Sequence, residues 1–579
     1  MTNKKQKLEL TWIGKDEELK LEPRILIEDS NKSYGDKSAE NMLIHGDNLL
    51  ALKALEQDFA GRIKCIYIDP PYNTGSRIDS DGKEIGYEDG LEHSEWLNLM
   101  KPRLEILKKL LHPNGTLAAQ IDDNEFARLY LLMTEIFQEK NLKTICVKMS
   151  EPTGVKMAHA INNGRIPKLK EFIIIARKDG IKDLFVEKVP KEKWDNEYKT
   201  LFENISKSEI GRLKEVRDNE ERSVAEIEEC DRILSKITTK PISECYREQQ
   251  IADEKKKVEF NFENAWRIVQ VVSMSGGAKT IADVKRKNNR NPFFAIETPQ
   301  KKMYFIRNEY DSEVEIPRIK VIFADDYLTV HPGDFWGDIK TTGLDNEGGV
   351  KFKKGKKPEA LIKRIIGMTS DEGELVLDSF AGSGTTGAVA HKMKRKWIMV
   401  EMATHVDSHL IPRIKSVIDG SDTQGISETV NWLGGGGFKF YNLAPSLLRK
   451  DSFGNFVIDE NYNANMLAAA MCKHEGFKFY PDETLYWKHG KSTETDFIFV
   501  TTGFITAEQL DKVHSEMKAG ESLLICAKAY APECENHFAN ITIKKIPQMI
   551  LGRCEFGKDN YDLNIIKATE AEAEESNEE

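Results

Sequence analysis

Two short loops in this sequence hold residue types that can do chemistry. The first is Asp69-Pro70-Pro71-Tyr72, which follows directly on the apolar run Ile63–Ile68. Two successive prolines fix φ and remove two N–H donors, so the loop is stiff and presents carbonyl oxygens as acceptors. A carboxylate, a rigid carbonyl and an aromatic ring side by side suit a flat ring that bears an amine. The tyrosine stacks on the ring while two acceptors take the two N–H protons. Drawing both protons out of the ring plane pushes the nitrogen toward sp³ and exposes its lone pair to an electrophile. The plainer reading is a proline turn with a packed tyrosine; the strand before it and the Asn73-Thr74-Gly75 continuation weigh against that.

The second loop lies in Leu375–Gly387, LVLDSFAGSGTTG. After a strand, glycine lets a ligand approach the backbone closely because no Cβ intervenes. Asp378 sits where the loop leaves the strand, Phe380 and Ala381 lead into it, and Gly382 and Gly384 make room for a nucleoside-like ligand. Glu401 ends the next strand 17 residues after Gly384, where a carboxylate can accept hydrogen bonds from ribose hydroxyls. GSGTTG also satisfies G-x-G-x-x-G, so a dinucleotide-dependent oxidoreductase competes, and on this loop alone the choice stays open.

The elements that must position these loops read as alternating strands and helices. MLIHGDNLLALKAL is a strand, a turn at Gly46-Asp47 and a helix, and Ile63–Ile68 is a buried strand. SEWLNLMKPRLEILKKLL is a helix closed by His112-Pro113-Asn114-Gly115. TLAAQI, FARLYLLMTEIF and FIIIAR then continue the alternation. From about residue 185 to 265 the chain is rich in Lys and Glu, with long helical stretches such as EIGRLKEVRDNEERSVAEIEECDRIL. The strand–helix pattern resumes at ELVLDSF. The expected fold is therefore α/β, a doubly wound and mostly parallel sheet with an insertion. After Gly434-Gly435-Gly436-Gly437, read as a hinge, a C-terminal α/β domain contains one βαβ unit, TDFIFVTT, ITAEQLDKVHSEMK and ESLLICA.

Composition narrows the class further. Of the 579 residues, 40% are hydrophobic and 31% charged, as in chains that bury sizeable cores. No run approaches the ~18 apolar residues of a membrane span, and the basic start MTNKKQKLEL is not followed by a secretory h-region. The eight cysteines include no C-x-x-C pair, which suits reduced thiols in a cytoplasmic protein and argues against a structural zinc. The net charge of −11 is concentrated partly in a glutamate-rich end, while Val350–Ile366 carries seven basic residues against one acidic. That local patch is a candidate to hold a nucleic-acid duplex, with a solvated loop as the plain alternative.

DPPYNTGS and LDSFAGSGTTG, in that order, resemble the catalytic and cofactor motifs of β-class amino DNA methyltransferases. HSEWLNLMKPRLEILKKLLHPNGTLAAQIDDNEFARL and KPEALIKRIIG extend the resemblance to the modification (Mod) subunits of type III restriction-modification systems. The resemblance implies a class I methyltransferase fold with permuted motif order. It implies transfer of a methyl group from S-adenosylmethionine to adenine N6 in duplex DNA, with the base flipped out. Asp69 and the Pro70 carbonyl would then bind the amine, Pro71 would stiffen the loop and Tyr72 would stack on the base. Phe380, Ala381, Gly382 and Gly384 would line the methionine part, with Asp378 at the loop's start. Glu401 would hold the ribose, Asp47 would sit near the cofactor's adenine, and Lys357-Pro358 would close over the cofactor. Serine in place of Asp69 usually accompanies cytosine N4 as target, so the DPPY form favours adenine; RNA and protein remain alternative acceptors.

Composition and the strand–helix pattern, with the roles that the resemblance implies, divide the chain into an arm at 1–40, a catalytic half at 41–180, a target-recognition insertion at 181–335 and a cofactor half at 336–433. A C-terminal domain at 434–567 and a disordered acidic tail at 568–579 follow. The expected partners are duplex DNA, a second copy of the chain and a restriction (Res) subunit.

Overall fold

The computed structural model describes residues 9–73, 92–151, 161–162, 164, 166–191, 193–350 and 355–557. The acidic tail, the Thr74-Gly75 continuation and lysines 351, 353 and 354 of the basic stretch lie outside these residues. Two compact units are present, Met1–Val186 with Gly333–Glu579, and Glu187–Pro332.

The larger unit is built on an eleven-stranded sheet. Its main path runs Leu26–Glu28, Gly437–Leu443, Met42–His45, Lys396–Glu401, Leu375–Asp378, Ile63–Ile68, Leu111–Ile121, Lys170–Arg177, Leu142–Lys148 and Phe335–Trp336. The strands from Gly437–Leu443 to Leu111–Ile121 pair parallel, and Lys170–Arg177 is antiparallel to both of its neighbours. Side chains alternate between the two faces. Cys65, Tyr67, Val376, Trp397 and Met399 enter one core with Ile362, Ile365 and Ala388. Ile66, Ile68, Leu377, Ile398 and Val400 enter the other with Leu52, Trp96 and Leu104. Both faces are covered, which is why these strands read as continuous apolar runs. The fold is thus a doubly wound α/β sheet with an antiparallel margin.

Three local expectations differ from the structure. The glycines 434–437, read as a hinge before a separate domain, lead instead straight into the strand Gly437–Leu443 inside the main sheet, because its apolar Phe438 and Phe440 are buried in that sheet's core. His112–Gly115 does not close the preceding helix as a free turn: the helix His93–Leu110 passes directly into the strand Leu111–Ile121, whose pairing shifts register between Ile63 and Cys65. The long charged helix of the insertion is two helices, Lys207–Asp218 and Val224–Ser235. The physical cause is in the sequence. Ser206 with Glu209 and Ser223 with Glu226 each form a reciprocal capping box, so a new helix begins at Val224. In this smaller unit the helices cover a six-stranded antiparallel sheet over a core of Phe202, Leu213, Phe305 and Phe323. At the C-terminal end of the larger unit, Asp496–Ile505, Ser522–Tyr530 and Ile541–Lys545 pair parallel, and the helix Ala507–Glu516 bridges the first two.

A buried ion network fixes the segment that enters the helix Glu359–Thr369. Glu359 accepts from Lys392 Nζ at 2.8 Å and from Arg413 Nη2 at 2.9 Å, and Lys392 also pairs with Asp422 at 2.7 Å. All four side chains are 0–1% exposed. Removing one member of such a network strands charge in the interior. Glu359→Ala is therefore expected to cost about 3–5 kcal/mol in chemical denaturation; a loss below about 1 kcal/mol would show the charges to be solvated.

Candidate active site

The site grows from the pairing of two strands. Ile63–Ile68 and Leu375–Asp378 lie side by side in parallel, with Cys65 opposite Val376 and Ile66 opposite Leu377. Both chemical loops therefore leave the same end of the sheet from neighbouring strands, the place where open α/β sheets bind ligands.

In the first loop, the buried Trp96 indole donates to the Pro71 carbonyl at 2.8 Å. Among the described residues no hydrogen bond ends on the carbonyl of Pro70, whereas that of Pro71 is taken by Trp96. Asn73 turns the chain with φ +56° and is held by Glu125 Oε1 at 2.7 Å. Glu125 is fully buried and also accepts from His93 at 2.6 Å. The Tyr72 hydroxyl lies 2.7 Å from Asp69 Oδ1 and 2.8 Å from Glu171 Oε2. Lys357 Nζ reaches the Tyr72 oxygen at 2.7 Å, Asp69 Oδ1 at 3.2 Å and Glu171 Oε2 at 3.3 Å. Its ammonium also stands 4.7 Å from the centre of the Tyr72 ring. Burial pushes the Asp69 carboxyl above the ordinary carboxylate range, with Lys357 pulling against it and Glu171 adding to it.

Glu171 was not expected. It is the second residue of the strand Lys170–Arg177 and sits diagonally across from Gln120 on the same sheet face. Gln120 donates to it at 2.5 Å and accepts from the Tyr67 hydroxyl at 2.7 Å. The one available signal is polarity in apolar runs: Gln120 interrupts TLAAQI, and Glu171 stands before FIIIAR.

In the second loop, Gly382 and Gly384 take φ of +52° and +77°, a region that L side chains avoid. A Cβ on Gly384 would also come within 3.0 Å of Leu410. Asp378 turns inward: it accepts from the Phe380 N–H at 2.9 Å and the Thr386 hydroxyl at 2.5 Å. Burial raises its carboxyl to about 7. Glu401, almost fully buried, accepts from the backbone N–H of Gly382 at 2.7 Å, Met402 at 3.0 Å and Ala403 at 2.9 Å. It thus ties the glycine loop to its own strand end, with carboxylate lone pairs left over. Phe380 and Ala381 are buried on opposite faces of the sheet. Asp47 caps the helix Asn48–Phe59 through Oδ1.

Two buried polar atoms here lack a hydrogen-bond partner, Asp47 Oδ2 and Ser379 Oγ. Asn48 Nδ2 donates to the Ser379 carbonyl at 2.8 Å, which joins the Asp47 turn to the glycine loop. Asp47 Oδ2 faces the buried Arg103 guanidinium at 3.8 Å, which leaves the Ser379 hydroxyl as the polar group beside the glycine turn that fits a polar, nucleoside-like ligand. The basic stretch reads differently from expectation. Lys356 and Lys357 are 7% exposed, Lys356 bonding to the carbonyls of Glu347 and Val350, and Arg364 forks onto Asp338 at 3.0 and 2.5 Å. These three cations serve the interior rather than a surface patch, because carboxylates and carbonyls of the same unit already surround them.

Residues 63–407 match the DNA methylase family, and the chain belongs to it. It is 35% identical over 431 residues to the probable type III restriction-modification enzyme HindVI Mod subunit of Haemophilus influenzae, covering 70% of this chain and 54% of that protein. It is 28% identical to the type III restriction-modification enzyme EcoPI Mod subunit of Escherichia phage P1, covering 67% of this chain and 61% of that one. The chain thus spans little more than half the length of these relatives. Among solved structures, PvuII DNA methyltransferase (cytosine-N4-specific) aligns with a TM-score of 0.30 at 13% identity, covering 68% of this chain and 91% of that one. The oxidoreductase alternative finds no support in these matches.

The inward-turned Asp378 gives a test of the loop's electrostatics. A carboxyl that binds its proton more tightly when folded stabilises the fold in acid, and that contribution fades as pH rises through about 7. Asp378→Asn keeps the acceptor and cannot ionise. Between about pH 5 and about pH 8 the wild-type melting temperature should fall more than that of Asp378→Asn; parallel profiles would contradict the assignment.

Proposed function

We propose that this chain transfers a methyl group from S-adenosylmethionine to adenine N6 in duplex DNA, as the modification subunit of a type III restriction-modification system in the cytoplasm. The observation that carries the reading is the adjacency of the DPPY loop to the glycine loop at one end of the sheet.

Asp69 and the Pro70 carbonyl accept the two N6 protons, Pro71 keeps the loop stiff, and Tyr72 stacks on the base. N6 is buried in the duplex stack, so the adenine must be flipped out, at a cost of a few kcal/mol. Gly382, Gly384, Asp47 and Glu401 hold S-adenosylmethionine, with Asp378, Phe380 and Ala381 shaping the loop beneath it. When bound, S-adenosylmethionine supplies a methyl group already activated by its sulfonium. The residues therefore mainly align the nitrogen with the methyl carbon. Asp69 need not be a strong base, because the amine proton becomes acidic only once the nitrogen carries positive charge. Its raised affinity for a proton suits it to take that proton then. Lys357-Pro358, expected at the cofactor, spans both halves: its lysine meets the catalytic loop and Pro358 caps the helix Glu359–Thr369.

Target recognition is assigned to the unit Glu187–Pro332. In its support, Arg286, Asn289, Arg290, Asn291 and Arg307 line one hollow of that unit, and these side-chain types read base edges. A second copy of the chain and a Res subunit are proposed partners, the latter by likeness to the Mod subunits.

The test is to incubate the full chain with tritiated S-adenosylmethionine and genomic DNA that lacks adenine methylation. Label is expected as N6-methyladenine. Asp69→Ala should lose about 10²–10³-fold in turnover while binding S-adenosylmethionine as the wild type does. Transfer only to RNA or protein, or none, would overturn the reading.

A further inference from the structure

The catalytic loop presents an imbalance that the reaction must resolve. One ammonium, Lys357, and one hydroxyl proton, Tyr72, face two carboxylates, Asp69 and Glu171. Both donors lie on Asp69 Oδ1, at 3.2 and 2.7 Å. An oxygen that already faces two donors is a poor acceptor for an incoming amine. Those donors are enclosed, with Lys357 8% exposed, so they cannot simply be released into water. Stranding a buried cation is costly unless another anion takes it.

Glu171 is placed to take both. Its Oε2 stands 2.8 Å from the Tyr72 oxygen and 3.3 Å from Lys357 Nζ, nearly the distances at Asp69. A shift of well under one hydrogen-bond length transfers either donor. The carboxylate itself is held from behind by the Tyr67–Gln120 chain, which fixes its side chain on the sheet. Burial weighs against its charge, yet Lys357, Gln120 and Tyr72 outweigh burial and hold its carboxyl below the ordinary range. Glu171 thus holds its charge more readily than Asp69 beside it.

Resting on the methyl-transfer reading above, we infer that Glu171 is a positioning residue of that reaction. It is the anion to which Lys357 and the Tyr72 hydroxyl turn when the target amine engages Asp69. The exchange makes and breaks only hydrogen bonds. It frees Asp69 Oδ1 and lets the Tyr72 ring settle on the base without leaving a buried charge unpaired.

Four full-length proteins test this: wild type, E171Q, K357M and the double variant. Each is assayed for turnover on unmethylated genomic DNA, for S-adenosylmethionine binding by calorimetry and for melting temperature. E171Q keeps the size and the Gln120 contact and removes the charge. Its turnover should fall about 10- to 100-fold, as for a lost charge-assisted hydrogen bond, with S-adenosylmethionine affinity and melting temperature near wild type. In the K357M background E171Q should cause a much smaller further loss, since no ammonium remains to be accommodated and the amide oxygen can still accept from the Tyr72 hydroxyl. Wild-type turnover in E171Q, equal losses in both backgrounds, or loss of S-adenosylmethionine binding along with turnover would each overturn the inference. A wild-type chain that forms no N6-methyladenine would instead overturn the functional reading, and the role of Glu171 with it.

Discussion

The parallel pairing of Ile63–Ile68 with Leu375–Asp378 is the constraint on which the rest depends. Neither loop alone supplies what the proposed methyl transfer needs. The first offers acceptors and an aromatic ring; the second offers room beside a backbone turn. Parallel neighbours end at the same edge, so the register that places Ile66 opposite Leu377 also places Asp69 beside the start of the glycine loop. That register is specified by burial on both faces. A slip of one residue would exchange Cys65 and Tyr67 with Ile66 and Ile68 between two differently shaped cores.

Electrostatics then couple the two halves. Pro358 separates two ionic systems along three residues of chain. Before it, Lys357 joins Asp69, Tyr72 and Glu171; after it, Glu359 joins Lys392 and Arg413. Arg413 also donates to the Thr385 hydroxyl at 2.7 Å, at the first residue of the helix that follows the glycine loop. One short segment thereby touches the catalytic loop on one side and the support of the cofactor loop on the other. Buried charges of this kind add little net stability, but they admit few alternative arrangements. Here they anchor the segment that carries Lys357 to the DPPY loop.

The two candidate loops could be picked out because their residues sit in short, stiff segments whose types state their capacity: prolines that stiffen the backbone, glycines that clear space. The main sheet was legible for a related reason, since strands buried on both faces read as unbroken apolar runs. What escaped detection depends on contacts between distant residues. Glu171 looks like the polar edge of a strand; only the diagonal with Gln120 across an antiparallel pair brings it to Tyr72. Lys356 was expected in a surface patch and is enclosed instead, and the contact of Lys357 with the DPPY loop was not foreseen, because charge in a sequence carries no direction. Glu401 shows the converse. Its position was read correctly as the end of a strand beside the glycine loop, yet its carboxylate also ties down the loop's own N–H groups. The break at Ser223 was present in the sequence as a capping box within a helical charge pattern.

The central claim is that both loops line one binding site. Photolabelling tests it most directly. The full chain is irradiated with tritiated S-adenosylmethionine, digested, and the labelled peptides are identified by mass spectrometry. The account predicts label, displaced by unlabelled S-adenosylmethionine, on peptides containing the Tyr72 loop and the Asp378–Gly384 loop. Displaceable label confined to peptides from Glu187–Pro332, or to the C-terminal strands beyond Asp496, would contradict it.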